Sequence, residues 1–381
     1  MQARSRRFYT LSAIVLVSGM TQGMLLPLLA TLLELNGVAP SLNGLASSAL
    51  YLGILVMAPL AERPLLRFGY KPVIVFGLAM VLACLVAFPL MNHYLSWLIL
   101  RFLLGAGDSL LHVATQLWIT DSAPEAKRGR YVSLYGLAFG GGFAIGPLLA
   151  GLHHQGLWLP FALAIALTLM ALLAALPLRN ARPSAAAASL HEPGHYGTVV
   201  RLAGIALLTC FSYGFLEGAL TAGLPIYANR SAIGLDSVSQ LLPAFFFSAL
   251  LTQLPLGMLS DRFGRRRVMV AIFTLGTLAF TLASQYETTH GAMMAAYFAA
   301  GLACGSLYTL SVSYLADLLP AKELPAGNVL ILIAFSVGSL LGPVGGGSFV
   351  DAFPGVSFHW LLAANLALPL LGLALWRRRA G

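Results

Sequence analysis

Long apolar segments separated by short polar intervals run along the whole chain and constrain its fold more than any other feature. A helix needs about 20 apolar residues to cross a bilayer. Of the 381 residues, 59% are hydrophobic and 9% are charged, which leaves too few polar residues to cover a soluble protein. Backbone groups in lipid must be satisfied within the segment, and the alternation of barrel strands is absent. We therefore predict an all-α integral membrane protein with twelve transmembrane helices, near 8–33, 42–60, 72–91, 95–120, 131–152, 157–178, 199–228, 237–259, 268–285, 291–318, 325–350 and 358–376.

The distribution of basic residues predicts the orientation of these helices. A net charge of +9 is also typical of nucleic-acid-binding proteins. Twelve spans from a cytoplasmic N-terminus, however, place every Lys and Arg except Arg101 and Arg230 on one side, and positive residues concentrate on the cytoplasmic side. We expect a multi-pass protein of the bacterial inner (cytoplasmic) membrane, with both termini cytoplasmic, lipid contacts and no nucleic-acid partner.

Neither the N-terminus nor the cysteines indicate another class. The first apolar segment is too long for a cleavable signal peptide and leads into no cleavage site, so we expect it to stay as the first helix. Cys84, Cys210 and Cys304 each lie inside a predicted span without metal-ligand spacing, so we expect packing roles, no metal and no cofactor.

Two patterns recur at nearly one offset, which indicates a duplication. Residues 67–71 (Arg-Phe-Gly-Tyr-Lys) resemble residues 262–266, 195 positions later. Gly142, Gly146 and Pro147 recur 196 positions later as Gly338, Gly342 and Pro343. We predict an N-terminal six-helix half at 1–178, a cytoplasmic linker at 179–198 and a C-terminal six-helix half at 199–381. His191 and His195 in the linker have the spacing of a metal pair but no third ligand, so we interpret them as solvated.

The loop after the eighth segment resembles a signature of the major facilitator superfamily. Its matching residues are Gly257, Asp261, Arg262, Gly264, Arg265 and Arg266. Gly257 is expected to let helices approach, and Asp261 to lie against a neighbouring helix N-terminus. The resemblance implies twelve helices and a latch on the cytoplasmic gate. In the first-half copy, Glu62 is present but Leu66 stands where an acid would precede Arg67.

Two further motifs resemble signatures of the same family. Arg101-x3-Gly105-x-Gly107 resembles the second signature, whose arginine is linked to proton transfer. Gly142-x3-Gly146-Pro147 resembles the third, which is typical of antiporters that export drugs or metabolites. The resemblance therefore implies gating at Gly146, Pro147, Gly342 and Pro343, and coupling to protons.

Charged residues inside the spans are the candidates for chemistry, because each costs roughly 2.5–3.5 kcal/mol there. Arg101, Asp108 and His112 are spaced by seven and four residues, which places them on one helix face. Asp108 and His112 are the first candidates for a proton relay. The alternative is a structural pair in which Arg101 neutralises Asp108.

Glu217, midway along the seventh segment, has no basic residue nearby in sequence. We expect it to exchange protons, to contact a cationic substrate, or to remain protonated and hydrogen-bonded. Polar contacts to a substrate are expected from Ser18, Gln22, Gln116, Tyr213, Gln253, Tyr308 and Asn328.

Together these features predict a monomeric secondary transporter that exports small organic or amphipathic compounds in exchange for protons by alternating access. The alternatives are an importer or uniporter of a small metabolite, and a non-transporting sensor or scaffold on the same fold. No Gly-x-Ser-x-Gly, His-Glu-x-x-His or P-loop motif is present, so an enzyme and an ATP-driven pump are disfavoured.

Overall fold

The computed structural model describes residues 2–91, 93–122, 128–183, 196–231 and 233–375, and within these ranges the chain is helical without a strand. A helix satisfies most of its backbone groups within itself, which lipid requires of a spanning segment. The long helices are α1 (Gln2–Leu35), α2 (Pro40–Leu60), α3 (Tyr70–Ala87), α4 (Tyr94–Ser122), α5 (Arg128–Ala150), α6 (Trp158–Ala175), α7 (Tyr196–Arg230), α8 (Leu235–Phe263), α9 (Arg265–Gln285), α10 (His290–Leu318), α11 (Leu324–Ala352) and α12 (His359–Leu375).

Eleven helices in the described ranges are long and apolar enough to cross a membrane, and α12 is apolar but shorter, at 17 residues. This confirms the predicted all-α membrane fold. Two helices are irregular inside: α7 has a non-helical residue at Ala203 and a π-helical segment at Ala219–Gly223, and α10 is interrupted after Cys304. A short helix, Glu62–Phe68, connects α2 to α3.

The chain divides into two compact units. The first comprises residues 1–29 and 49–191, and the second comprises residues 30–48 and 192–381. The second unit thus includes the end of α1 and the start of α2, where Arg230 Nε donates to Glu34 Oε1 at 2.5 Å. Since α1 and α2 each contribute to both units, the division of the halves at residues 178 and 199 stays a prediction.

The described part of the predicted linker, 179–183, packs on the connection before α3. Asn180 Nδ2 donates to the carbonyl oxygen of Phe68 at 2.8 Å, and the backbone N–H of Tyr70 donates to that of Ala181 at 2.8 Å. These bonds fix where the linker leaves the first unit. Outside the described residues lie His191, His195, Lys127, Arg377, Arg378 and Arg379.

The sequence repeat is present in the structure as a repeated helix contact. A Cβ on Gly142 of α5 would lie 2.1 Å from the carbonyl oxygen of Leu16 on α1. A Cβ on Gly338 of α11 would lie 2.1 Å from that of Phe211 on α7. Small residues at such contacts let two backbones approach. Each unit therefore contains the same glycine-mediated pair, α1 with α5 and α7 with α11.

The Gly-Pro motif extends these contacts by one helical turn. A Cβ on Gly146 would lie 2.4 Å from the backbone of Gly23, and one on Gly342 would lie 2.4 Å from the carbonyl oxygen of Phe215. Pro147 and Pro343 follow inside α5 and α11. The motif thus sets close packing, and its role in gating stays a prediction.

Gly142 and its neighbour Gly141 provide a matched test of this packing. Gly142→Ala places a methyl group against the α1 backbone, and overpacking of this kind costs about 1–3 kcal/mol. A Cβ on Gly141 would meet no atom within 4 Å, so Gly141→Ala gains helix propensity without a clash. In detergent, the thermal midpoint of Gly142→Ala should fall and that of Gly141→Ala should not. Equal midpoints for the two variants would contradict the contact.

Candidate functional site

Asp108 lies on α4, 6% exposed, at the centre of a hydrogen-bonded cluster. Ser18 Oγ on α1 donates to Asp108 Oδ1 at 2.5 Å, and Gln22 Nε2 donates to Oδ2 at 2.6 Å. His112 Nε2 lies 3.6 Å from Asp108 Oδ2 and 3.1 Å from Ser18 Oγ. Residues four apart share a helix face, so Ser18 and Gln22 meet Asp108 and His112 across one contact. The structure brings the predicted Asp108 and His112 together with Gln22.

His112 continues the cluster to α5. Its Nδ1 lies 2.6 Å from the hydroxyl oxygen of Tyr135, and its ring packs edge-on against Phe139 with centroids 4.8 Å apart. An imidazole that faces a carboxylate with one nitrogen and a phenol with the other can accept a proton on one side and release one on the other. Tyr135 was not singled out in the sequence, because nothing local relates it to His112.

Arg101 is 1% exposed and lies two turns before Asp108 on α4. Seven residues rise about 10 Å along a helix. Among the described side chains no ion pair joins Arg101 to Asp108; the partners of Asp108 are Ser18, Gln22 and His112. The alternative of a mutually neutralising pair is therefore not formed here, and the role of Arg101 in coupling stays a prediction.

Glu217 on α7 has different surroundings. Its side chain is half-buried, and in the described part of the chain no hydrogen bond or ion pair reaches its carboxylate. Thr221 Oγ1 donates to its backbone oxygen at 2.9 Å. Immediately after it, Ala219–Gly223 forms the π-helical turn, a feature found frequently at functional sites.

Two predicted tyrosines lie near one another in the second unit. Tyr213, one turn before Glu217, stacks on Phe335 of α11 with centroids 6.1 Å apart and planes at 27°. Tyr308 of α10 meets the same Phe335 edge-on at 5.2 Å. Phe335 was missed in the sequence, since single aromatics in apolar helices carry no specific signal. The three rings form an aromatic cluster, of which Tyr213 lies on the same face of α7 as Glu217.

The other predicted polar contacts are not joined to either acid. Gln116 and Asn328 are exposed, and Gln253 is half-buried. No hydrogen bond in the described residues connects any of the three to Asp108 or Glu217. Their contact with a substrate stays a prediction.

The loop signature forms an ionic cluster at the start of α9. Arg265 Nη1 lies 3.1 Å from Asp261 Oδ1, and Arg265 Nε donates to Asp317 Oδ2 at 2.7 Å. Gly264, which joins α8 to α9, has φ of 91°, a conformation that favours glycine. The described partner of Asp261 is the Arg265 side chain, and the expected contact of Asp261 with a helix N-terminus stays a prediction.

Gly257 and the other arginines of the signature each have different contacts. A Cβ on Gly257 would meet no atom within 4 Å, so the expectation that it permits helix approach is wrong. Arg266 Nη2 donates to the carbonyl oxygen of Leu373 at 2.8 Å, which ties α9 to the end of α12. Arg262 lies over the ring of Phe263. Among the described signature residues, Arg265 is the one that bridges two acids.

A second buried polar network, which the sequence did not indicate, lies at the opposite end of α9. His359, 0% exposed, faces Glu287 Oε1 with Nδ1 at 2.9 Å and the Tyr297 hydroxyl with Nε2 at 3.0 Å. Tyr227 donates to Glu287 Oε2 at 2.7 Å, and Ser357 donates to Oε1 at 2.5 Å. The network ties the α9–α10 loop to α7, α10 and α12.

The charge of Glu287 is stabilised by these bonds. Burial raises the pKa of the Glu287 carboxyl, but hydrogen bonds from His359, Ser357 and Tyr227 outweigh burial and hold that pKa below its usual range. Because the folded-state pKa is lowered, the network stabilises the protein above the unfolded-state pKa of about 4.3. The contribution is lost as the pH falls through the folded-state pKa.

We therefore expect Glu287→Gln to lower the thermal midpoint at neutral pH. The difference from wild type should begin to shrink as the pH falls below about 4.3 and vanish below the lower folded-state pKa, where the wild-type carboxyl is neutral as well. Thermal unfolding of purified protein from pH 7 to pH 3 measures this, with exposed Thr288→Ala as the control in the same loop. A difference that stays constant with pH would show that the charge is not what stabilises the network.

The profile of the Major Facilitator Superfamily matches residues 11–242 and 206–380. The uncharacterised MFS-type transporter YfkF of Bacillus subtilis (strain 168) is 39% identical over 379 residues, which cover 98% of this chain and 96% of that protein. The uncharacterised MFS-type transporter YcaD of Escherichia coli (strain K12 / DH10B) is 27% identical over 79% of this chain and 77% of its own.

Solved transporters share the fold at low identity. The nucleoside transporter NupG has a TM-score of 0.75 at 14% identity, covering 97% of this chain and 100% of its own. A bacterial homologue of the human lysosomal transporter Spinster has a TM-score of 0.70 at 16% identity, covering 97% and 93%. Because the family profile spans nearly the whole sequence and YfkF is similar over almost its full length, the chain belongs to the major facilitator superfamily and is a membrane transporter, not an enzyme.

Proposed function

We propose that this transporter exports small organic or amphipathic compounds across the bacterial cytoplasmic membrane in exchange for protons. The observation that carries the proposal is the buried Asp108 cluster. A carboxylate, an imidazole and a phenol lie in sequence from Asp108 through His112 to Tyr135, and Ser18 contacts both Asp108 and His112. Charged groups at membrane depth mark ion and proton pathways.

Glu217 is the second acid of the proposed cycle. An ionised carboxylate without a partner is costly in a low-dielectric interior, so Glu217 favours either a proton or a cationic ligand. The rings of Tyr213, Phe335 and Tyr308 would complement a planar or cationic compound there through stacking and cation–π contacts. A substrate and a proton that compete for Glu217 would couple export to the proton gradient.

An importer or uniporter uses the same fold, and the two acids distinguish these functions. If neither acid exchanges protons during turnover, the importer or uniporter alternative gains support. Transport by purified protein in vesicles under an imposed pH gradient, screened with a broad compound panel, identifies cargo and direction together.

For coupling, Asp108→Asn or Glu217→Gln should abolish gradient-driven accumulation while sparing substrate binding or exchange down a substrate gradient. Each variant removes the charge that must be gained and lost during turnover. Glu217→Gln should have the larger effect, because Glu217 has no described partner to compensate its charge. Proton flux measured with a pH dye, beside labelled-substrate flux, tests both.

The matched control for this measurement is Asp236→Asn, an exposed acid at the start of α8. It should transport like wild type. Uphill transport with unchanged proton stoichiometry in both acid variants would remove the antiporter assignment.

For the gate, Asp261→Asn should leave the protein folded but slow turnover. The Asp261 side chain is 68% exposed, and exposed ion pairs contribute only about 0–1 kcal/mol to stability. The substitution still frees Arg265 from one of its two acids, which weakens the proposed cytoplasmic latch. Glu62→Gln should do less, because the first copy of the signature is incomplete. Initial transport rates of the two variants test this prediction. Equal and severe losses of rate in both would contradict a larger role for Asp261 than for Glu62.

For topology, position 288 should face the outside and position 267 the cytoplasm. Thr288→Cys and Arg267→Cys, both at exposed positions, are made in a background without Cys84, Cys210 and Cys304. An impermeant thiol reagent added to intact cells should label position 288 alone. Labelling of position 267 alone would invert the orientation.

A further inference from the structure

A small cavity lies beside the Asp108 carboxylate inside the first unit. Its polar lining consists of Ser18, Thr21, Gln22, Asp108 and Thr168, and its volume is about 20 Å³. The remaining walls are apolar side chains of α1, α2, α3 and α4. Thr168 is the contribution of α6, a helix that supplies no partner to Asp108 in the cluster described above.

Two hydroxyls in this lining have no hydrogen-bond partner in the described structure. Thr21 Oγ1 and Thr168 Oγ1 are both unsatisfied, although the two residues are 5% and 1% exposed. Threonines elsewhere in these helices donate to the carbonyl one turn before, as Thr115 does to Leu111 at 2.7 Å. Buried polar atoms without a protein partner call for a bound water or ion.

The size and chemistry of the cavity fit one occupant. A cavity needs about 10–15 Å³ to hold a water molecule, which makes two to four hydrogen bonds when buried. The two threonine hydroxyls can donate to its oxygen, and the Asp108 carboxylate can accept from it, since two bonds leave lone pairs on Asp108 free. Apolar side chains form most of the wall, but Thr21, Thr168 and Asp108 add polar groups to it, whereas a cavity that stays empty is lined by apolar groups alone.

We propose that a single ordered water molecule occupies this cavity and hydrogen-bonds Thr21, Thr168 and Asp108. The water gives Asp108 a third donor besides Ser18 and Gln22 and connects α1, α4 and α6 at one point. Thr168 is then a positioning residue for the carboxylate. The effect on transport rests on the proposed proton coupling through Asp108, whereas the water itself does not.

On the side of Asp108 that faces α6, the proposed water is the group that would exchange a proton with the carboxylate. The titratable group that faces the carboxylate is His112 from α4, with Tyr135 from α5 behind it. The cavity-lining residues of α1, α2, α3 and α6 bring no titratable side chain and no cation. A change in the water therefore acts on Asp108 without replacing a charge.

The test is a structure of the full-length protein at a resolution that shows ordered water, for wild type, Thr168→Val and Thr168→Ser. Valine keeps the shape of threonine without the hydroxyl, and serine keeps the hydroxyl. We expect a density peak within hydrogen-bond distance of Thr21, Asp108 and residue 168 in wild type and Thr168→Ser, and its loss in Thr168→Val. An empty wild-type cavity overturns the proposal. So does a peak that is present only when Na⁺ replaces K⁺ in the buffer, since it would be a cation.

The pH dependence of substrate-driven proton flux provides the functional measurement. Thr168→Val should displace the pH profile, and Thr168→Ser should restore it. Thr120→Val should leave the profile unchanged, because the Thr120 hydroxyl donates only to the backbone oxygen of Gln116. If the water is seen but Asp108→Asn leaves coupling intact, the proton-carrier role of Asp108 fails while the water site stands. A displaced profile in Thr168→Val with the water still in place would show that Thr168 does not act through it.

Discussion

Backbone contact at glycine between α1 and α5 fixes the position of everything proposed to function in the first unit. A Cβ on Gly19 or Gly23 would lie 2.3 Å from a carbonyl oxygen of α5. The residues that flank these glycines, Ser18 and Gln22, are the ones that hold Asp108. The same contact brings Tyr135 within reach of His112. Close packing of small residues thus permits short hydrogen bonds between side chains that belong to three different helices.

The two units share this packing but differ in chemistry. At the offset of 195, Gln22 of α1 corresponds to Glu217 of α7, and at 196, Asp108 of α4 corresponds to Cys304 of α10. The acid therefore lies on α4 in the first half and on α7, the counterpart of α1, in the second half. In the first unit the Gln22 amide donates to the Asp108 carboxylate. In the second unit Cys304 stands at the position that corresponds to Asp108, and the Glu217 carboxylate has no described partner. A duplicated scaffold with an unequal pair of acids supports unequal roles for them.

Local spacing explains which of these features the sequence predicts. The helices follow from apolar length, and Asp108 with His112 follows from an interval of four. Partners on other helices do not follow, because the choice among several polar residues of α1 depends on how α1 packs on α4. The Glu287–His359 network was invisible for the same reason, since its members are 72 residues apart. The prediction for Gly257 was wrong for a different reason. The motif identifies the residue, but a motif does not show whether another helix packs against it, and no described helix does.

The π-helical turn after Glu217 has a consequence for how α7 tolerates changes in length. A π turn holds one residue more than an α turn, so removing a residue from 219–223 would restore regular α-helix. Because the π turn takes up its extra residue locally, the residues beyond it would keep much of their orientation, whereas the same deletion in a regular part of α7 would rotate them by about 100°. A deletion of that second kind would turn Tyr227, which bonds Glu287 from the end of α7, away from its partner. Residues 219–223 are therefore a place where α7 can lose one residue and still present Glu217 before the turn and Tyr227 after it.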